Sequence, residues 1–111
     1  MKTKVQTCAL AEKHHRAAIR QYAHTLHRRN TICICEAFLD LPATLQCGIL
    51  LHEIGHLIEP DEDNERQIDR IAEEWSGITI KRRDTIHGKR LECVARADVP
   101  RALKVLRHEL A

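Results

Sequence analysis

The segment from residue 48 to residue 58 constrains the fold more than any other part of the sequence. It reads GILLHEIGHLI, so apolar side chains occupy nearly every side of a helix of this length. Asp40 can cap such a helix, Pro42 can sit in its first turn, and Pro60 forbids its continuation. A helix that is apolar all round is buried and does not face solvent. We therefore predict that this helix forms the centre of the fold.

Two elements are predicted before this helix. Between residues 7 and 29, apolar positions recur three, four or seven apart, which is typical of an amphipathic helix, and Asn30 marks its end. The following segment, residues 31–39, reads TICICEAFL, and its β-branched and apolar residues predict a buried strand. Cys33 and Cys35 would lie on the same face of that strand.

A helix, a hairpin and a last helix are predicted after the central helix. The first, over residues 62–76, would end at Gly77, because glycine readily takes the left-handed conformation that ends a helix. Residues 78–81 and 90–95 alternate or are apolar around a glycine-containing loop, which predicts a β-hairpin. Asp98 opens the last helix, and its predicted buried stripe consists of Leu103, Leu106 and Leu110.

The order of these elements predicts an α+β fold in which a small antiparallel or mixed sheet packs against helices. With 111 residues the chain is long enough for one domain and too short for two of ordinary size, so we expect one domain over residues 1–111. A net charge of +2 and only three aromatic residues disfavour nucleic-acid binding.

Composition also bears on location and on metal binding. No apolar run approaches the roughly 20 residues that span a bilayer, and the N-terminus lacks the apolar core of a signal peptide, so we expect a cytoplasmic protein without a membrane partner. The five cysteines form no CxxC pair, which favours reduced thiols over a disulfide framework. Eight histidines in so short a chain raise the prospect of a metal site.

Residues 52–56 read HEIGH, an instance of the HExxH motif within a predicted helix. Positions i and i+4 of a helix project from one face about 40° apart, so His52 and His56 can share one metal ion. Glu53 lies about 100° around the helix from His52, where its carboxylate can accept a proton from metal-bound water. Because the surrounding residues are apolar, these ionisable groups need compensation for their desolvation, and a metal provides it. The motif therefore predicts two zinc ligands and a general base.

Catalytic zinc takes three protein ligands and leaves the fourth position to water, so a third ligand is required. Glu59 lies on the same helical face, but it is about 10 Å of helical rise beyond His52, too far for easy convergence. In the next predicted helix, an apolar stripe within residues 68–75 faces the core, and Glu65 projects closer to that stripe than the helix's other acidic residues. The spacing therefore favours Glu65 as the third zinc ligand.

Other candidates remain open at this point. Cys33 or Cys35 could reach the metal as a thiolate, although small buried thiols more often serve as packing. His87, in the hairpin loop, could stabilise an oxyanion or have no role in the site. Asp69 could accept the outer ring N–H of a zinc-bound histidine, or it could pair with a neighbouring arginine at the surface.

The string LLHEIGHLI, followed by ERQIDRIA at residues 65–72, resembles the compact gluzincin-type zinc metallopeptidases, especially the ImmA/IrrE-like group of bacterial and phage regulatory proteases. The resemblance covers roughly residues 31–76. In those proteins a helix with an ExxxD or ExxxN motif follows HExxH, with the glutamate on zinc and the second residue behind it. The resemblance thus implies Glu65 as a zinc ligand and Asp69 as its supporting residue.

These observations predict a zinc-dependent metallopeptidase that hydrolyses peptide bonds in a protein or peptide substrate, and the resemblance implies a regulatory protein as that substrate. Zn²⁺ would be held by His52, His56 and Glu65, and Glu53 would be the catalytic base. The substrate would lie extended along a strand edge near the site. The alternative is a catalytically silent zinc-binding regulatory or adaptor domain that uses its metal for folding.

Overall fold

A computed structural model describes residues 2–7, 22–26, 29–86 and 89–110, and for residues 37, 82–86 and 89–95 it describes the backbone alone. Within these ranges the strands are β1 (Lys4–Thr7), β2 (Ala23–Leu26), β3 (Thr31–Ile34), β4 (Lys81–Ile86) and β5 (Lys89–Arg96). The helices within the same ranges are α1 (Glu36–Leu39), α2 (Ala43–Ile58), α3 (Glu65–Ser76) and α4 (Val99–Glu109).

The first three strands form a mixed sheet in the order β1-β3-β2. The middle strand, β3, runs parallel to β1 and antiparallel to β2, so that Ile32 lies between Val5 and Thr25. The strands β4 and β5 form a separate antiparallel hairpin, which begins at Lys81 and not at residue 78 as predicted. Helices packed against a small mixed sheet confirm the predicted α+β fold class.

The core lies between the mixed sheet and the helices. All four residues of β3 are buried, and Ile32 and Cys33 have no exposed surface. The helix α2 packs against α3, α4, β2 and β5, and its buried residues include Leu45, Leu51 and Ile54. Since neighbouring elements contact α2 on several sides, packing fixes the directions in which its side chains point.

The predicted helix over residues 7–29 is wrong wherever the structure describes it. Thr7 is the last residue of β1, Ala23–Leu26 forms β2, and residues 8–21 lie outside the described ranges. The spacing of apolar residues fits a helix, but the backbone of β2 pairs with β3 instead. Strands of four residues owe their stability to neighbouring strands, so a local pattern does not reveal them.

Two boundaries near α2 also differ from the prediction. The strand predicted over residues 31–39 ends at Ile34, and α1 follows it. Asp40 is not the N-cap of α2, because the helix starts directly after Pro42 and has no side-chain cap. The carbonyl of Pro42 instead accepts hydrogen bonds from the backbone N–H groups of Leu45 and Gln46. A fixed φ of −55° allows proline to precede the helix in this way.

The start of α3 is later than predicted, at Glu65 instead of residue 62, because Asn64 is its N-cap. The Oδ1 atom of Asn64 accepts hydrogen bonds from the backbone N–H groups of Arg66 and Gln67, at 3.1 and 3.2 Å. Gly77 ends the helix with a φ of 71°, as predicted. The N-cap therefore places Glu65 in the first turn of α3.

The last helix begins as predicted, with Asp98 accepting a hydrogen bond from the backbone N–H of Arg101 at 3.2 Å. Of its predicted stripe, Leu106 is buried, whereas Leu103 and Leu110 are partly buried. No helix in the described part of the chain has both the length and the apolar character that crossing a bilayer requires.

Candidate metal centre

The two histidines of the HExxH motif lie one turn apart on α2 and point to the same place. His52 is buried, with 6% of its surface exposed, and the side chain of His56 is 18% exposed. Their Nε2 atoms are 3.1 Å apart, and the rings meet edge to face with centroids 4.8 Å apart. Each ring thus directs its Nε2 atom to the shared point.

The third group, Glu65, comes from the first turn of α3. Its Oε2 atom lies 2.6 Å from Nε2 of His52 and 3.3 Å from Nε2 of His56. The chain reverses direction over residues 59–64, and α3 then packs back onto α2. The ligand atoms of these three residues all lie within 4.8 Å of one another, so the group could hold a metal ion.

Asp69 lies behind His52, on the side of the ring away from this group. Its Oδ1 atom is 2.7 Å from Nδ1 of His52, and both residues are buried. A carboxylate in this position accepts a hydrogen bond from Nδ1–H, which leaves the Nε2 lone pair directed at the group. Asp69 was predicted either to contact a histidine ring or to pair with an arginine at the surface, and the structure shows the contact with His52.

The centre needs a positive charge between its groups. His52 faces one carboxylate at Nδ1 and another at Nε2. A neutral ring has only one N–H, so both contacts are satisfied only when the ring carries a second proton or a cation lies near Nε2. Two imidazoles and a carboxylate are also the donor set that binds catalytic zinc. The donor chemistry therefore fits a divalent metal of this type.

The distances agree with such an ion, with one adjustment. Bonds of about 2.0 to 2.1 Å in a tetrahedral arrangement separate the ligand atoms by about 3.3 Å. The contacts of His56 with His52 and with Glu65, at 3.1 and 3.3 Å, are close to this separation. The 2.6 Å contact between His52 and Glu65 is a hydrogen-bond distance. The side chain of Glu65 is 53% exposed, so its carboxylate can move away from His52 to the distance that a shared ion requires.

The electrostatic state of Glu65 suits ligation. Hydrogen bonds from His52, and then from His56, hold the pKa of its carboxyl well below the ordinary value, and they outweigh the opposing effect of partial burial. The carboxylate is therefore ionised over the whole neutral range, which is the form that binds a metal.

The remaining predicted residues have varied positions. Glu53, on α2 beside His52, is buried with 8% of its surface exposed. Glu59 is exposed at the end of α2, and its backbone N–H donates to the carbonyl of Gly55. Cys33 is buried in β3, Cys35 is partly buried just after it, and neither belongs to the group described above. His87 lies outside the described residues.

One residue that positions the site escapes the sequence reasoning. Asn64 sets the start of α3 and thereby the place of Glu65 on it. An asparagine directly before a run of good helix formers is itself an N-cap signal, so this start of the helix could have been predicted.

Comparison of the chain with family models, curated proteins and solved structures found no match. Inference about function therefore depends on the geometry of the site.

Proposed function

We propose that the protein is a zinc-dependent metallopeptidase. The observation that carries the proposal is the meeting of His52, His56 and Glu65, with Asp69 behind His52. This set combines a HExxH helix with a glutamate from a second helix and a carboxylate that orients one histidine. It is the arrangement that the resemblance to ImmA/IrrE-like gluzincins implies, and membership of that group is part of the proposal.

Each residue of the site would have its own role in peptide hydrolysis. Zinc held by His52, His56 and Glu65 would polarise the peptide carbonyl and lower the pKa of a water molecule to about 7. Glu53 would accept a proton from that water as its oxygen adds to the carbonyl carbon. It would then pass the proton to the amine nitrogen as the C–N bond breaks, which leaves Glu53 ionised for the next turnover. Asp69 would keep the proton of His52 on Nδ1.

The proposed substrate is an extended segment of a protein. In the described part of the chain β2 is an edge strand of the mixed sheet and packs against α2. Strand addition at the edge of a sheet is one way in which proteins bind extended peptides. Binding of this kind beside α2 would lay the peptide alongside the helix that carries Glu53.

The test compares Glu53→Gln with the wild-type protein. The substitution keeps the shape of the side chain but removes the base, so we expect zinc content to persist while hydrolysis falls by about 10² to 10⁴. Zinc-loaded and chelated samples are incubated with a panel of unfolded and regulatory proteins, and cleavage is followed on gels. Glu59→Gln, at the exposed end of the same helix, is the matched control and should cleave normally.

Two outcomes would contradict the proposal. Equal cleavage by the wild type and by Glu53→Gln would exclude Glu53 as the base. Stoichiometric zinc without chelator-sensitive cleavage of any substrate would favour the alternative, a catalytically silent zinc-binding regulatory or adaptor domain.

A further inference from the structure

The helices α2 and α3 touch at Gly55, within the HExxH motif. A Cβ atom added to Gly55 would lie 2.8 Å from the backbone oxygen of Ile68, 2.9 Å from its Cγ2 atom and 3.4 Å from Cβ of Ala72. Carbon–oxygen contacts are ordinarily no closer than about 3.3 Å. Ile68 and Ala72 have no exposed surface, so neither can swing away into solvent. Only glycine permits this approach of the two helices.

The contact lies next to the residue that orients His52. The oxygen facing Gly55 belongs to the peptide group that joins Ile68 to Asp69, so a shift of this group moves Asp69 with it. Asp69 has a short side chain, is buried, and holds His52 at 2.7 Å. Glu65 has a longer side chain that is 53% exposed, so it can follow the zinc after a small shift of the helix.

We infer that Gly55 is a positioning residue for the metal centre. The missing side chain lets α3 lie close enough to α2 for Asp69 to hold Nδ1 of His52. A side chain at position 55 would push α3 away by about 0.5 Å, the difference between 2.8 Å and an ordinary contact. A displacement of this size along the contact would lengthen the 2.7 Å contact between Asp69 and His52 to about 3.2 Å, the upper end of the hydrogen-bond range. This inference rests on the metal centre of the proposed function and is independent of peptide hydrolysis.

The inference predicts that Gly55→Ala behaves like Asp69→Ala. Each variant should bind zinc about 10 to 100-fold more weakly than the wild type, as measured by competition with a chromogenic chelator at fixed pH and salt. In a double-mutant cycle, Gly55→Ala should cause no further loss when Asp69 is already alanine, because both changes act on the same contact. If the losses of zinc affinity caused by Gly55→Ala and by Asp69→Ala simply add in the double variant, the inference is wrong.

Cobalt substitution distinguishes a positioning role from the loss of a ligand. Gly55→Ala should keep all three ligands, so the visible spectrum of bound Co²⁺ should match that of Asp69→Ala. Glu65→Ala removes a ligand and should give a different spectrum. A Gly55→Ala spectrum that matches Glu65→Ala would overturn the assignment, since α3 would then have carried Glu65 out of reach.

Leu45→Ala controls for loss of stability. Leu45 is buried on the same helix, seven residues before His52, with 2% of its surface exposed. This variant should lower the melting temperature and leave the zinc affinity unchanged. Wild-type affinity in Gly55→Ala would overturn the inference, and so would an unfolded Gly55→Ala, because a shift of α3 within an intact fold is expected. If Asp69→Ala and His52→Ala also bind zinc normally, the metal centre itself is refuted.

Discussion

Replacing Glu65 by alanine tests the proposed zinc ligand that the HExxH motif does not itself supply. Structural sites with four protein ligands bind zinc with a free energy of about 10 to 16 kcal/mol, so an equal share is about 2.5 to 4 kcal/mol per ligand. At 1.4 kcal/mol per tenfold change, this share corresponds to a loss of about 10² to 10³ in affinity. Glu65 is half exposed, so water can take its place on the metal. We therefore expect Glu65→Ala to bind zinc about 10²-fold more weakly than the wild type, at the lower end of this range.

The assay is a competitive chelator titration of purified variants at fixed pH and salt. Glu65→Gln is a second variant, because it keeps the size of the side chain and removes its charge, and it should also bind weakly. Glu59→Ala is the matched control, since this exposed carboxylate contributes only a screened field and its loss should leave affinity nearly unchanged. Wild-type affinity in Glu65→Ala, or a larger loss at Glu59, Cys33 or Cys35, would place the third ligand on another element.

Three further predictions concern stability. Because its folded-state pKa is lowered, Glu65 stabilises the metal-free protein at pH values above its ordinary pKa of 4.5, and this contribution is lost as the pH falls below that value. The difference in unfolding free energy between wild type and Glu65→Gln, measured in urea, should therefore shrink from pH 5 to pH 3, and a constant difference would contradict the assignment. Asn64→Ala should cost about 1 kcal/mol in the same urea assay through loss of the N-cap, whereas Asp63→Ala, which caps nothing in the structure, should cost less. Zinc at 100 times its dissociation constant should add about 2.7 kcal/mol to the stability, and this gain should vanish on chelation or in His56→Ala.

Much of the candidate site could be predicted from local spacing. A separation of four residues on a helix fixes the relative directions of His52 and His56 whatever the rest of the chain does. The prediction of Glu65 rests on a second regularity. The apolar stripe of α3 must face the core, and this orientation determines which acidic residue of α3 points toward α2. Both regularities hold in any helix that packs against a core, and α2 and α3 are such helices.

The strands of the mixed sheet could not be predicted in the same way. Ala23–Leu26 has no alternation of apolar and polar residues, and its backbone becomes a strand because β3 lies beside it. The pairing of β1 with β3 joins Lys4 to Thr31, across 27 positions of the sequence. Such long-range pairing leaves little trace in the residues that take part, because the stabilising groups are in the partner strand.

The contact at Gly55 shows a different limit of sequence reasoning. A glycine inside a helix lowers the helix propensity and signals that some close approach is required, but the approaching residue belongs to another helix. Only the structure shows that the neighbour is the backbone of Ile68 and that Asp69 is the next residue. Helix packing therefore supplies the link between the motif and the carboxylate behind it.

The reversal over residues 59–64 explains why Glu65, the third member of the candidate metal centre, is the first residue of its helix. His56 lies in the last turn of α2, where the helix dipole is negative, and Glu65 lies in the first turn of α3, where it is positive. The first end favours a cation and the second favours a carboxylate, each by about 0.3 to 1 kcal/mol. A short reversal brings these two ends together, so the backbone and the side chains favour the same placement of charge. Asp69, one turn further along α3, lies beyond this first turn and contacts His52 at Nδ1, on the side of the ring away from Glu65.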